Sequence, residues 1–242
     1  MLLAVDIGNT NIKFGVFDGS TLVSKFSLAT RAHTPADLTS KLDPAIDHAI
    51  ICSVVPELNE PLSDVLASHL GIRAVVVSND IDLGMRVMHT PLESLGTDRL
   101  VNSFSAAEKY GVPCIICSFG TASTFDAVNE DRVLLGGVIA PGMTTMIKAL
   151  HHNTAQLPEV EIDTPENVIS QTTRGAIRSG IVYGHAGTAE GIINRMKTEM
   201  GTEVRVIATG GFADLIAEIT DVIDVVDDDL LLDGLRLIHE RI

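Results

Sequence analysis

The chain has no tryptophan, and aromatic residues make up only 4% of its 242 positions. Its core must be built from Val, Ile, Leu and Ala, and the 45% hydrophobic content fits a packed α/β protein. Basic residues are scarce: 17 Lys and Arg stand against 32 Asp and Glu, a net charge of −15. That balance excludes general nucleic-acid binding, which needs a basic surface. An anionic ligand must be taken by local donors, helix N-termini and a metal, not by the overall field. No apolar run reaches the length of a membrane span, so no membrane partner is expected. The apolar N-terminus lacks a basic leader and carries Asp6, so no signal peptide is expected either. Cysteine is used three times, at Cys52, Cys114 and Cys117, always in apolar, strand-like runs. Cys114 and Cys117 form a C-x-x-C, but a zinc or redox site would need a second pair or a helix start. Buried structural thiols and a cytoplasmic location are the expectation.

Against that background residues 2–18 stand out. Apolar Leu2 to Val5 run into Asp6, then Ile7-Gly8-Asn9-Thr10-Asn11, then a second apolar run from Ile12 to Phe17 interrupted by Lys13. The pattern reads as strand, tight turn, strand. Gly8 admits a bulky ligand to the backbone, while Asn9, Thr10 and the turn amides offer donors. An acid at the end of a buried strand beside such donors suits a metal-nucleotide; an ordinary hairpin with Asp6 as a turn former reads equally well from this stretch alone.

An internal repeat favours the first reading. Residues 114–128 carry the same plan, with Gly120-Thr121 after an apolar run ending at Ser118-Phe119. Gly8 aligns with Gly120 at an offset of 120 − 8 = 112, close to half the chain. Two like halves, residues 1–112 and 113–242, are therefore expected, each opening with a phosphate-type hairpin and holding nucleotide between them. Between the hairpins the pattern predicts a helix over 34–47, a strand over 48–55, a helix over 57–70, a strand over 74–77 and a helix ending near Tyr110. Beyond them it predicts a helix over 143–151, a loop-rich 153–170 and a helix over 173–200. That last helix carries Gly175, Gly180, Gly184, Gly187 and Gly191, at a cost of about 1 kcal/mol each. Either it packs closely on another helix, plausibly across a subunit interface, or it breaks near Gly184. A strand over 204–208 and a last helix begun by the acid run Asp227-Asp228-Asp229 complete the reading, with the helix dipole favouring those acids.

Two further motifs carry chemistry. Gly96-Thr97-Asp98-Arg99 lies at a loop-to-helix junction, where backbone N–H groups and Arg99 can meet an anion and Asp98 can take a proton from a hydroxyl. From these four residues alone, a helix cap with a surface ion pair is the simpler reading. Thr209-Gly210-Gly211 follows a strand, and its glycines let backbone lie flat against a nucleoside.

Taken together, Asp6-Ile-Gly-Asn-Thr10, Ser53-Val-Val-Pro56, Gly96-Thr-Asp-Arg99, Gly120-Thr-Ala122, Gly136-to-Gly142, Thr154-to-Pro158 and Thr209-Gly-Gly211 resemble the type III pantothenate kinases over nearly the whole chain. These belong to the acetate and sugar kinase, Hsc70 and actin superfamily. The resemblance implies two similar ribonuclease-H-like α/β lobes and ATP-dependent phosphorylation of pantothenate, the first step of coenzyme A biosynthesis. It implies Asp98 as general base, with Gly96, Thr97, Asp98, Arg99 and Thr173 at pantothenate and Arg99 on its carboxylate. For ATP it implies Asp6, Ile7, Gly8, Asn9, Thr10, Asn11, Ile12 and Lys13 with Thr121, Gly210 and Gly211. Asp6 would hold Mg²⁺, and a homodimer is implied. The family also uses a monovalent cation, K⁺ or NH₄⁺, held in part by an Asp at the position of Ser118. Two more departures are Ser170-Gln171-Thr172-Thr173 for a common Gly-Lys-Asn-Thr, and Met88 or His89 near the place of a pocket tyrosine. They leave a non-catalytic, ligand-binding homologue as the alternative.

Overall fold

The structure, a computed structural model, describes residues 1–242. Its strands and helices in chain order are β1 (Leu2–Ile7), β2 (Asn11–Asp18), β3 (Thr21–Ala29), α1 (Pro35–Thr39), β4 (His48–Ser53), α2 (Asn59–Leu70), β5 (Val75–Val76), β6 (Arg86–Val87), α3 (Thr97–Tyr110), β7 (Cys114–Phe119), β8 (Ala122–Val128), β9 (Val133–Pro141), α4 (Met143–Asn153), α5 (Thr173–Met200), β10 (Arg205–Thr209), α6 (Ala213–Ala217), β11 (Val225–Val226) and α7 (Leu230–His239).

The chain divides into two compact units. One comprises Met1–Met85, His89–Glu108 and Asp229–Ile242; the other comprises Arg86–Met88 and Lys109–Asp228. The sequence reading put the division at 112/113 and gave everything after it to the second lobe. The last helix instead packs on the first unit. The reason lies at Gly234, where any Cβ would come within 2.8 Å of Val101 Cγ1 and 2.9 Å of Ser105 Cβ, so α7 and α3 approach at backbone distance.

The first unit holds a five-stranded sheet in the order β3-β2-β1-β4-β5. β1 pairs antiparallel with β2 and parallel with β4. One face buries Leu3, Val5, Ile7, Phe14 and Val16 against Leu38, Leu62 and Leu66. Every residue of β1 except Asp6 is buried, so a carboxylate sits in a strand that is otherwise core. The edge strand β3 is mostly exposed and carries Lys25, the kind of charge that blunts an unpaired edge.

The second unit repeats the plan in a six-stranded sheet ordered β11-β10-β7-β8-β9-β6. β7 pairs antiparallel with β8 and parallel with β10. The core here joins Ile115, Cys117, Phe119 and Phe125 to Ile181, Val182, Ala186 and Ile193 of α5. The three cysteines are free and buried, and burial pushes the Cys114 thiol up to about 12. No helix is long and apolar enough to cross a membrane.

One local expectation is corrected and two are refined. The helix expected over 34–47 ends at Thr39, because Pro44 cannot continue it and Asp43 Oδ1 instead accepts the Ala45 N–H at 2.8 Å. The glycine-studded helix does not break: α5 runs unbroken for 28 residues, capped by the Thr172 hydroxyl and by left-handed Gly201. The acid run does sit at the start of α7, with Asp229 at its N-cap, and ion pairs also hold it. Lys25 Nζ meets Asp229 at 2.6 Å, and Asp227 accepts from Lys109 Nζ at 2.6 Å and from the Tyr110 hydroxyl at 2.7 Å.

Candidate active site

In the first unit the site is built on the end of β1. Ile7 and Ile12 close the ladder, leaving Gly8, Asn9, Thr10 and Asn11 as the turn. The Gly8 N–H donates to the Asn11 carbonyl at 3.1 Å, and residues 9–11 are exposed. Asp6 pairs with Lys13 on β2 and with Cys52 on β4. Directly paired residues share a face, so Lys13, Asp6 and Cys52 form one row across three strands. Burial pushes the Asp6 carboxyl up to about 7; Lys13 lowers it and Asp98 raises it.

That coupling brings in the second motif. Gly96 accepts the first helical bonds of α3, from Arg99 N at 3.1 Å and Leu100 N at 3.2 Å. A Cβ on Gly96 would collide with the Asp98 carboxylate, which folds back over it. Asp98 Oδ1 accepts from the Arg99 N–H at 2.9 Å. Burial raises the Asp98 carboxyl, and its bond to the Arg99 N–H and the Arg99 charge oppose this. Thr97 anchors the junction: its hydroxyl donates to the Ser53 carbonyl at 2.8 Å and accepts from Cys52 Sγ at 3.5 Å. Its side chain thus faces β4. Arg99 is 7% exposed, a largely desolvated cation.

In the second unit Phe119 pairs with Ser123, so the turn is Gly120, Thr121 and Ala122, one residue shorter than its counterpart. The row matching Lys13-Asp6-Cys52 is Thr124-Ser118-Thr209, three neutral hydroxyls. Gly210 has φ +98°, and a Cβ there would lie 2.6 Å from the Phe119 carbonyl oxygen. Its missing side chain is therefore required by the β7 backbone, whereas Gly211 is exposed and faces open space. Thr173 is exposed at the first position of α5. Met88 is 64% exposed, and His89 Nε2 lies 2.9 Å from Ser94 Oγ.

Some supporting residues escaped the sequence reading. Ser123 and His185 are buried together, Oγ to Nε2 at 2.9 Å, with the His185 ring edge-on to Phe119. Burial lowers the His185 pKa, so this imidazole is neutral and ties α5 to the second hairpin. Thr30, behind the first turn, was missed as well, although it stands at the repeat offset from Gly142.

The sequence pattern of the type III pantothenate kinases matches residues 2–195. The chain belongs to that family. The type III pantothenate kinase of Rhodospirillum rubrum is 43% identical over 100% of this chain and 98% of its own length. That of Agathobacter rectalis is 38% identical over 100% and 97%. Among solved structures, a Campylobacter jejuni protein named for the Baf family of transcriptional activators superposes with a TM-score of 0.64 at 19% identity, over 99% of this chain and 98% of that one. A Sinorhizobium meliloti protein named for 2-dehydro-3-deoxygalactonokinase gives 0.61 at 14% identity, over 100% and 97%. At these identities the structural neighbours speak for the fold alone, the two-lobed architecture of the sugar kinases.

A type III pantothenate kinase works on ATP with a metal. The carboxylates here suit magnesium, which takes one or two of them and draws its remaining ligands from phosphate and water. Asp6, at the end of β1 beside the phosphate-type turn, is the carboxylate placed to be such a ligand, and no cluster of three or more His, Cys, Asp or Glu exists that could cage a metal.

Proposed function

We propose that this protein transfers the γ-phosphoryl group of ATP to the primary hydroxyl of pantothenate, giving 4′-phosphopantothenate in the first step of coenzyme A biosynthesis. One observation carries the reading beyond family membership. Asp6 and Asp98, far apart in sequence, lie close enough that the Asp98 charge raises the Asp6 carboxyl. One ends the strand that feeds the phosphate turn; the other opens the Gly-Thr-Asp-Arg helix.

In this reading Gly8 to Lys13 take the ATP phosphates. Asp6 would hold Mg²⁺, which when bound would supply positive charge against the phosphates. Gly96 to Arg99 and Thr173 take pantothenate, and Arg99 pairs with its carboxylate. Asp98 accepts the hydroxyl proton as the oxygen attacks phosphorus, and the bond to ADP breaks in line. Burial raises the proton affinity of Asp98, which strengthens it as a base. Positioning and charge stabilisation supply most of the catalysis in such transfers, and the base adds roughly 10²–10⁴-fold.

The working enzyme is proposed to be a cytoplasmic homodimer joined along α5. Gly180, Gly184 and Gly187 are exposed on one stripe of that helix, and a Cβ on any of them would meet nothing within its own chain.

The Thr124-Ser118-Thr209 row favours a second reading, a homologue that binds nucleotide without transferring phosphate. Coupled ADP release, measured with and without pantothenate, separates the two. Pantothenate-dependent release supports the kinase; none at any salt concentration supports the second reading.

A further inference from the structure

Thr30 follows the last residue of β3 and is buried at 4% exposure. Its hydroxyl donates to the Gly8 carbonyl at 2.7 Å, and its N–H donates to the Thr10 carbonyl at 3.0 Å. The C=O and N–H of a planar trans peptide point to opposite sides. Drawing the Gly8 and Thr10 carbonyls to Thr30 therefore turns the Asn9 and Asn11 N–H groups away from it. An anion approaching the far side of the turn meets donors, not carbonyl oxygens.

The second unit builds the same device from other residues. Gly142 stands in the place of Thr30, 142 − 30 = 112 residues on. Its N–H donates to the Thr121 carbonyl at 3.1 Å. A Cβ on Gly142 would lie 2.7 Å from that carbonyl oxygen, so no hydroxyl can come from this position. It comes from Thr145 on α4 instead, whose Oγ1 donates to the Thr121 carbonyl at 2.6 Å. Each turn is held from behind by one N–H and one hydroxyl, which take two carbonyls (Thr10 and Gly8) at the first turn and one (Thr121) at the second. A loop accident would not recur in that form.

We propose that Thr30 is a positioning residue of the nucleotide site. It does not touch the nucleotide; it binds the turn's carbonyls so that the turn's amides face the phosphates. The inference rests on the assignment of the ATP phosphates to residues 8–13.

Thr30 also lines a cavity of about 500 Å³ with Ile12, Leu38, Val55 and Leu62. An isosteric valine therefore keeps an apolar wall while losing the hydroxyl, and serine does the reverse. Calorimetric titration with Mg²⁺ and a non-hydrolysable ATP analogue, without acceptor, reads the effect directly. Thr30→Val should raise the dissociation constant roughly three- to tenfold, the worth of one hydrogen bond. Thr30→Ser should stay near wild type. In turnover, KM for ATP should rise in the valine variant while KM for pantothenate does not. If Thr30→Val does not fold, Thr30→Ala makes the same comparison with Thr30→Ser. Equal affinities in the deleted and serine variants would overturn the proposal, as would a parallel rise in both KM values. A wild-type protein that fails to bind the analogue would instead remove the nucleotide assignment itself.

Discussion

Asp6 and Lys13 stand directly opposite each other across the β1–β2 ladder, and the second unit fills the same two places with Ser118 and Thr124. At these two places the duplicated fold carries charge in one copy only. A carboxylate and an ammonium in the first hairpin become two hydroxyls in the second. Variants at the two hairpins should therefore have different effects.

For Ser118 the consequence concerns monovalent cations. Hydroxyls can coordinate K⁺ only as neutral ligands, and hard-cation affinity follows ligand charge count. Little activation by K⁺ or NH₄⁺ is expected in the wild type, and Ser118→Asp should introduce it. Activity titrated against KCl, at constant ionic strength set with a large organic cation, checks this. Strong K⁺ activation of the wild type would show that the hydroxyl row suffices.

Asp6→Asn should separate stability from function. The folded-state pKa of Asp6 is about 7 against 3.8 for the free group, so the folded protein binds the extra proton between those values. Stability from this group is complete below 3.8 and is lost as pH rises through about 7. At pH 8, without metal or nucleotide, wild type should lie up to about 4 kcal/mol below the Asn variant. The same variant should lose most Mg-ATP use and keep pantothenate binding. Melting curves in chelator at pH 4 and pH 8 decide it; a variant less stable at both would make Asp6 a structural residue.

Asp98→Asn should lower turnover by roughly 10²–10⁴-fold while leaving ATP affinity unchanged. Asparagine keeps an oxygen for the Arg99 N–H and removes a buried charge, so the melting temperature should hold or rise. Near-normal turnover would remove Asp98 from the chemistry.

Gly184→Ala tests the α5 interface by the sign of its effect. In a monomer the added methyl meets nothing and should stabilise the helix by about 1 kcal/mol. Across a close-packed helix pair it should destabilise and shift the dimer toward monomer. Melting temperature and sedimentation equilibrium, measured on the same sample, distinguish these outcomes.

Much of this protein is legible along the chain. The two apolar-turn-apolar stretches are local signals, because strand and turn preferences act over a few residues, and the 112-residue offset between Gly8 and Gly120 follows from comparing them. Gly96 to Arg99 is legible for the same reason, since a loop-to-helix junction is a local event. The tertiary structure decided what depends on distant partners. The last helix joins the first unit because Gly234 lets it against Val101 and Ser105, and sequence order says nothing about which sheet a terminal helix will cover. Helix 34–47 stops early although its apolar spacing continues, because Leu38, Leu42 and Ile46 reach the same core without a continuous helix. The raised carboxyls of Asp6 and Asp98, and the hold of Thr30 on the Gly8 carbonyl, arise only when folding removes water and joins segments far apart in sequence. Burial and long-range hydrogen bonds belong to the packed chain, not to any stretch of it.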